Sequence, residues 1–340
     1  MRSDVSRLMV EIAVRQALKN RSEQSFRRSL RTLVEYGEHY SSGPFQSSFF
    51  VLVQQMLRDE EHPYYSLAER AWAEVDPRYI EHFCLNVGYE SWTCGAATIR
   101  ALESQLNCNI PWCLTLRRSE PEGDVLSEEH LRAVIDQGMA MGIYTYIYVD
   151  CQLDTALLSR LSNTYTSCAL VALTQDSRLT EAALEELEGT DNVLLIALQD
   201  GPEFTSAPLL RRHRRPYGLC MLYQTPEDVR RILCGEALAF PGDADCMLPC
   251  FYPTADCPAN IRQAVDAELL RRKEHPVTAQ FPVELSQDLR RIDQIISTDD
   301  CALSVSPQGE FLLTEPLRAT GMYIQSSTLE QVIRQWLRKD

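Results

Sequence analysis

The chain has 340 residues, 45% of them hydrophobic, which is enough to bury one large core with an appended helical region. Its 33 basic residues are outnumbered by 48 acidic ones, and the formal net charge is −15. Such a chain is repelled by nucleic acid and by anionic membrane surfaces, so neither is an expected partner. No apolar run is long enough to span a bilayer, and the first 21 residues carry charges throughout instead of an apolar signal-peptide core. We therefore expect a cytoplasmic protein.

The first 85 residues are predicted to form a helical extension. Apolar residues recur at helical spacing, as at Leu8, Ile12 and Leu18. Prolines at 63 and 77 interrupt the pattern. The predicted helices cover 5–19, 23–38, 47–58 and 66–74.

A strand, a helix and a second strand are predicted over 109–149. The two outer segments, 109–117 and 143–149, are rich in β-branched and aromatic residues, and 126–141 has helical apolar spacing. Ser127 is a good N-cap for this helix because its hydroxyl can accept from early backbone N–H groups. Two neighbouring strands that are connected by a helix run parallel to each other.

The same alternation continues towards the C-terminus and predicts a parallel α/β sheet. The predicted strands cover 168–174, 192–198, 218–223 and 245–252. The predicted helices cover 155–161, 180–187, 226–234 and 259–273. A hairpin with its turn at 307–309 is expected over 301–314, followed by a closing helix at 327–339.

Several of these segments resemble a known family. Two segments resemble the start of the radical S-adenosylmethionine (SAM) domain, in a bacterial subgroup with a helical N-terminal extension. They are NIPW at 109–112 and LS..HL..VI.QG...GIY.YIY at 126–148. FCLNVGYESW at 83–92 is similar to that subgroup's link between helices and barrel, and 301–314 resembles the hairpin of SPASM-type members. The resemblance implies an α/β fold: a helical extension at 1–85, a partial (β/α)6 TIM-like barrel at 86–285, and a hairpin and helix at 286–340. The last part is similar to a SPASM domain without its cluster cysteines.

The residues that hold the family's cofactors are absent. The family's first strand leads into a loop with C-x-x-x-C-x-x-C, whose thiolates bind a [4Fe–4S] cluster. The corresponding loop, at 118–124, has no cysteine, and none occurs between Cys113 and Cys151. The family's glycine-rich turn, which meets the amino group of SAM, is replaced by Asp150, Cys151 and Gln152. These departures imply that the protein has no [4Fe–4S] cluster, does not bind SAM tightly and needs no cofactor.

We therefore predict a non-catalytic radical-SAM-like protein, a pseudoenzyme with no catalytic residues. It would be a binding or regulatory partner of a protein or peptide, such as an intact radical SAM paralogue or a peptide substrate. The alternative is an enzyme or small-molecule-binding protein that uses the carboxyl-terminal rim of the barrel, with a non-standard cluster or none. The polar residues expected near this rim are Arg117, Asp150, Gln175, Gln199 and Tyr223.

The 12 cysteines are dispersed, mostly within apolar runs, as is typical of buried free thiols in a reducing compartment. Cys246, Cys250 and Cys257 form the remaining metal candidate. Their C-x3-C-x6-C spacing matches neither the radical SAM signature nor paired zinc knuckles, and strand residues four apart are separated by about 13 Å. Ordinary packing is the alternative, and we expect no metal.

The run RRHRRP at 211–216 is basic enough to contact phosphate or RNA. Alternatively, it forms a solvated face or contacts a protein partner. The six histidines are scattered without H-x-x-x-H spacing, and no Ser, His and Asp motif occurs. Hydrolytic catalysis therefore has no support in the sequence.

Overall fold

The computed structural model describes residues 2–19, 23–40, 53–54, 58–59, 61–119, 126–239, 246–297, 299, 301–314 and 317–339. The predicted helix at 47–58 and the predicted loop at 118–124 lie largely outside the described residues.

Helices precede the sheet, and several of them share an apolar cluster of their own. They are α1 (Arg2–Lys19), α2 (Glu23–Tyr40), α3 (Pro63–Glu74), α4 (Pro77–His82) and α5 (Ala96–Leu106), with a π-helix over Phe83–Gly95 between the last two. Phe26 of α2 meets Tyr65 of α3 edge to face, with ring centroids 5.4 Å apart, and lies 5.7 Å from Trp72. Aromatic packing of this kind fixes α2 against α3.

The strands form one largely parallel sheet, as the alternating pattern predicts. They are β1 (Cys113–Ser119), β2 (Thr145–Asp150), β3 (Ala169–Gln175), β4 (Val193–Leu198), β5 (Tyr217–Tyr223), β6 (Leu248–Pro253), β7 (Val283–Glu284), β8 (Leu303–Val305), β9 (Glu310–Thr314) and β10 (Leu317–Tyr323). In the described part of the chain their order is β10-β9-β8-β1-β2-β3-β4-β5-β6-β7. Strands β1 to β7 pair in sequence and in parallel, β8 pairs in parallel with the free side of β1, and β9 and β10 continue antiparallel.

A helix separates each pair of consecutive strands from β1 to β7. These helices are α6 (Glu128–Ala140), α7 (Thr155–Thr164), α8 (Glu181–Glu186), α9 (Ala207–Arg212), α10 (Pro226–Leu233) and α11 (Ala259–Glu274). Two more follow, α12 (Leu285–Ser297) and α13 (Leu329–Trp336). Ser127 caps α6 as predicted, since its side chain accepts from the His130 N–H. Among the described helices, none combines the length and the apolar character needed to cross a bilayer.

The two faces of the sheet have different neighbours. On the outer face, Leu114, Tyr146 and Leu195 are fully buried in the same apolar cluster as Leu131 of α6 and Leu158 of α7. On the opposite face, here called the inner face, alternate residues of β3 to β6 pack together with Leu285 of α12. The strand residues in this cluster are Leu173, Ile196, Cys220 and Cys250.

Three differences from the predicted elements are informative. First, β1 begins at Cys113 instead of 109, because the preceding backbone bonds to side chains: the Ile110 N–H donates to Glu103, and the Ser297 hydroxyl donates to the Ile110 carbonyl. Second, α12 is absent from the predicted elements and packs against the inner face. Third, β10 was not predicted and pairs with β9 beyond the expected hairpin.

Candidate ligand-binding site

A cavity of about 250 Å³ lies between the inner face and α12. We call it the central cavity. Its strand wall includes Thr115 and Arg117, which alternate along β1 and therefore share a face. Its helix wall is one face of α12, formed by side chains at successive turns of the helix. These are Leu285, Ser286, Leu289, Arg290 and Asp293.

Arg117 lies near the carboxyl-terminal end of β1 and is half-buried. Its Nη2 donates to the Tyr252 hydroxyl of β6 at 3.2 Å. Its Nε is buried and has no hydrogen-bond partner among the described residues. A buried donor without an acceptor costs about 1 to 3 kcal/mol, so this position favours a ligand oxygen.

The opposite end of the central cavity is acidic. Asp293 is 1% exposed, and its Oδ1 accepts from the Trp112 N–H at 3.0 Å, just before β1. The Trp112 indole also donates to the Leu289 carbonyl at 3.0 Å, which fixes α12 at this end. Burial, reinforced by the Asp293 charge, raises the pKa of Cys113 well above its usual value. The Cys113 thiol is therefore neutral and is not a nucleophile at physiological pH.

The walls between these two ends are mostly apolar. The apolar side chains come from β2 to β5, from α12, and from β8 and the residue before it. They include Ile147, Val149, Leu173, Leu198, Leu222 and Leu285. Leu222, near the carboxyl-terminal end of β5, is 45% exposed although it lines the cavity. The mouth of the central cavity therefore presents an apolar surface to solvent.

Asp150 points away from the central cavity and organises the turn after β2. It is 2% exposed and accepts hydrogen bonds from the Ser119 and Tyr148 hydroxyls and from the Gln152 and Asp154 N–H groups. Burial alone would raise the pKa of Asp150, but these hydrogen bonds and the nearby Arg118 lower it below its usual value. Asp150 is thus an ionised structural acceptor in the turn after β2.

The other predicted rim residues divide between the two faces. Gln175 is two residues beyond Leu173, so strand alternation puts it on the inner face. Gln199 donates to the Pro202 carbonyl at 3.3 Å in its own loop. Tyr223 is on the outer face, where its hydroxyl donates to Glu284 at 2.8 Å. Of the five predicted rim residues, the structure brings Arg117 to the central cavity, whereas Asp150, Gln175, Gln199 and Tyr223 do not line it.

Glu284, the partner of Tyr223, is fully buried. Its carboxylate accepts from the hydroxyls of Tyr223 and Ser286 and from the Gln287 N–H. Burial raises the pKa of Glu284 despite these hydrogen bonds. The arrangement ties β5 and β7 to the first turn of α12.

The cysteines proposed as a metal candidate lie in different surroundings. Cys250 belongs to the inner-face cluster, Cys257 to an outer cluster with Tyr223, and Cys246 to the main core. Within the described ranges, no three or more His, Cys, Asp or Glu side chains come together as a metal site. All twelve cysteines are free thiols, and only Cys234 is exposed.

The basic run at 211–216 joins the N-terminal helices to the sheet. Arg214 donates to the Ala73 and Glu74 carbonyls at the end of α3. Arg215 is 2% exposed, donates to the Leu187 and Thr190 carbonyls, and lies 4.8 Å from the centroid of the Tyr79 ring. These two arginines are thus occupied by contacts within the chain.

Sequence reasoning named Arg117 but missed the rest of the polar lining. Tyr252 could have been found because it follows Cys250 by two residues on a predicted strand, and therefore shares its face. The residues of α12 could have been found from the helical spacing of Leu285, Leu289 and Ile296. Their placement over the strands could not, since it depends on contacts between segments far apart in the chain.

Comparison with known proteins gives no match to any protein-family model and none to a curated protein. The resemblance to the radical SAM family therefore depends on the sequence segments quoted above and stays a prediction.

Proposed function

We propose that this protein is a non-catalytic, radical-SAM-like barrel whose function is to bind a small molecule in the central cavity. The observation that carries the proposal is the buried Nε of Arg117, a guanidinium donor without a hydrogen-bond partner among the described residues, on a side chain that lines a cavity with mostly apolar walls. Pockets that combine apolar walls with a few polar groups are typical of small-molecule sites.

The order of strands supports the barrel part of the proposal. The consecutive parallel strands β1 to β6, with a helix between each pair, are what a partial (β/α)6 barrel would contain, and in this chain the short β7 extends the series. Arg117, Leu222 and Tyr252 all lie near the carboxyl-terminal ends of their strands. That edge is where parallel α/β proteins generally bind their ligands.

The absence of cluster ligands from the sequence supports a non-catalytic role. An iron–sulfur cluster selects thiolates, and the loop after β1 offers only Ser, Glu, Asp and other non-thiol side chains. The turn after β2 supplies no glycine-rich backbone for the amino group of SAM, because the Asp150 carboxylate in that turn accepts hydrogen bonds from the Gln152 and Asp154 N–H groups.

The first experiment tests whether the central cavity is the binding site. Thermal shift of the full chain against a small-molecule library identifies stabilising compounds, and each is repeated on Val149→Phe, which fills the cavity. Val277→Phe makes the same substitution at a side chain that is 80% exposed and serves as the matched control. We expect stabilisation to be lost in Val149→Phe and kept in Val277→Phe. Equal stabilisation of all three proteins would contradict the proposal.

A second experiment tests the non-catalytic part. Anaerobic reconstitution with iron and sulfide should give no stoichiometric cluster, and calorimetry at micromolar concentration should give no saturable heat with SAM. The lost charge-assisted contacts are each worth about 1.5 to 3 kcal/mol, so several together weaken binding about a thousandfold or more. A visible-absorbing cluster or a saturable SAM isotherm would show that the reaction centre has been rebuilt.

A protein partner is the second candidate function, and one surface favours it. Leu8, Met9 and Ile12 of α1 are 54%, 46% and 51% exposed and lie on one side of the helix. Contiguous exposed apolar residues are typical of protein contact sites. Co-purification of the tagged chain with the radical SAM proteins of the source cell tests this candidate. Retention should be lost in Leu8→Glu/Ile12→Glu and unchanged in Leu233→Glu, which alters an exposed leucine elsewhere.

A further inference from the structure

We infer that the central cavity selects a small monocarboxylate with an apolar body, whose carboxylate is held by Arg117 and Tyr252 at the carboxyl-terminal end of the strands. This inference rests on the proposed function, because it names the class of ligand for the same cavity.

The geometry of Arg117 points to an oxyanion with two acceptor atoms. One branch of the guanidinium is held by the Tyr252 hydroxyl, while the buried Nε has no acceptor among the described residues. A carboxylate can accept from Nε and from the neighbouring N–H groups through two parallel hydrogen bonds. Tyr252 accepts from Arg117 and therefore keeps its own O–H, which can be donated to the same carboxylate.

The charges around the central cavity favour a single negative charge on the ligand. Two guanidiniums, of Arg117 and Arg290, and one carboxylate, of Asp293, line it and leave one formal positive charge. The neighbouring Arg118 forms ion pairs with Asp150 at 3.8 Å and with Asp154 at 2.7 Å. A polyanion such as a nucleotide would meet too little positive charge here.

The rest of the lining selects the body of the ligand. Apolar side chains form most of the walls beyond Arg117, and Leu222 extends this surface to the mouth. An apolar body removes this surface from water, which favours the complex. A free phosphate or a short hydroxy acid would leave the same walls unoccupied.

Calorimetry on the full chain tests the inference with sodium octanoate as the probe. Methyl octanoate, octylamine and inorganic phosphate are the comparison compounds, since they lack the carboxylate, reverse its charge or lack the apolar body. We expect saturable binding of octanoate, at least about tenfold weaker binding of methyl octanoate and octylamine, and no saturable heat with phosphate.

Three variants assign the contacts. Arg117→Met should weaken octanoate binding about 10- to 100-fold, because a charge-assisted pair is lost from a half-buried site. Tyr252→Phe should weaken it about 2- to 10-fold. Arg334→Met removes an exposed arginine of α13 and should change the affinity less than about twofold. Circular dichroism of each variant confirms that it is folded.

Each negative result would contradict a different part of the inference. If a neutral or cationic compound binds better than octanoate and its binding is lost in Val149→Phe, cavity binding stands and the carboxylate class is wrong. If octanoate binds equally to the wild type and to folded Arg117→Met, the assignment to Arg117 is wrong. If no compound binds in the central cavity, the proposed function fails as well.

Discussion

At the scale of single residues, the face of the sheet on which a polar side chain lies decides whether it lines the cavity or stabilises the fold. Arg117 and Arg118 are neighbours on β1, yet Arg117 faces the central cavity and Arg118 forms ion pairs with Asp150 and Asp154. Successive strand residues point to opposite faces, so one position separates a ligand contact from a structural ion pair. Asp150, one of the residues expected near a ligand, is by the same rule an anchor of the outer face.

Asp150→Asn should destabilise the fold. An amide cannot accept all the hydrogen bonds that the carboxylate receives, so donors are left unpaired, and we expect a loss of about 2 to 4 kcal/mol in the free energy of unfolding at pH 7. Urea denaturation measures it. Asp256→Asn, at an exposed carboxylate, should change the stability by less than about 0.5 kcal/mol.

The wild type and Asp150→Asn should also differ in how their stability depends on pH. The folded-state pKa of Asp150 is below its usual value of 3.8, so the stability it contributes is present above that value and is lost as pH falls through the folded-state pKa. The difference between the wild type and Asp150→Asn should therefore be full at pH 6 and shrink below about pH 4. A difference that grows on acidification would contradict this assignment.

At the scale of elements, close backbone contacts fix how the N-terminal helices meet the sheet. Gly95, at the end of the π-helix, lies directly against Gly142, in the turn before β2. Gly142 has a φ of +93°, which side chains rarely tolerate, and its own Cβ would lie 2.7 Å from the Gly95 carbonyl. The two glycines allow an approach that any larger pair would prevent.

Gly95→Ala should therefore destabilise the protein by about 1 to 3 kcal/mol. The new methyl group would collide with the Gly142 carbonyl and lie 2.9 Å from the Glu90 carbonyl, and neither backbone group can rotate away. Gly88→Ala, in the same π-helix, meets nothing within 4 Å and should be neutral or stabilising by up to about 1 kcal/mol. Thermal denaturation of both variants tests the contact, and an equal loss in both would attribute the effect to the helix instead.

Arg215 also connects the N-terminal helices to the sheet. Arg215→Met would remove the charge-assisted hydrogen bonds to the Leu187 and Thr190 carbonyls and the stacking on Tyr79, at a cost of about 2 to 4 kcal/mol. Arg212→Met removes an exposed arginine that pairs with Glu181 and should cost less than about 1 kcal/mol. Chemical denaturation distinguishes them. Similar small losses of stability in both variants would mean that the run at 211–216 does not hold the N-terminal helices to the sheet.

At the scale of the whole molecule, the sheet is held by apolar packing and backbone hydrogen bonds. The largest cluster joins β1, β2, β3 and β4 to α6, α7 and α13, and the inner face has its own cluster with α12. Burial raises the pKa of Cys220 and Cys250, which keeps these thiols protonated and consistent with a packing role.

The chain should therefore fold without metal. Exhaustive chelation during purification should leave the melting temperature unchanged, because the apolar clusters and the backbone hydrogen bonds of the sheet are expected to hold the fold without a metal. A fall of many degrees would contradict this expectation. It would redirect attention to residues outside the described ranges or to Cys246, Cys250 and Cys257.

The sequence by itself determined the alternation of strands and helices, the N-cap at Ser127 and the burial of most cysteines. These features depend on local periodicity and on side chains a few residues apart, so a single segment carries the whole signal. The run at 211–216 was ambiguous for the same reason, since charge along a segment does not reveal whether its partners lie in solvent or across the molecule.

Only the tertiary structure decided that Arg117 meets Tyr252, 135 residues away, and that α12 packs against the inner face. It also decided that β8 joins the free side of β1. Register and the seating of a helix on a sheet are set by contacts between distant segments, and a shift of one residue would exchange the two faces of a strand. The central cavity is made entirely of such contacts, which is why its lining could not be predicted from local patterns while the strands that carry it could.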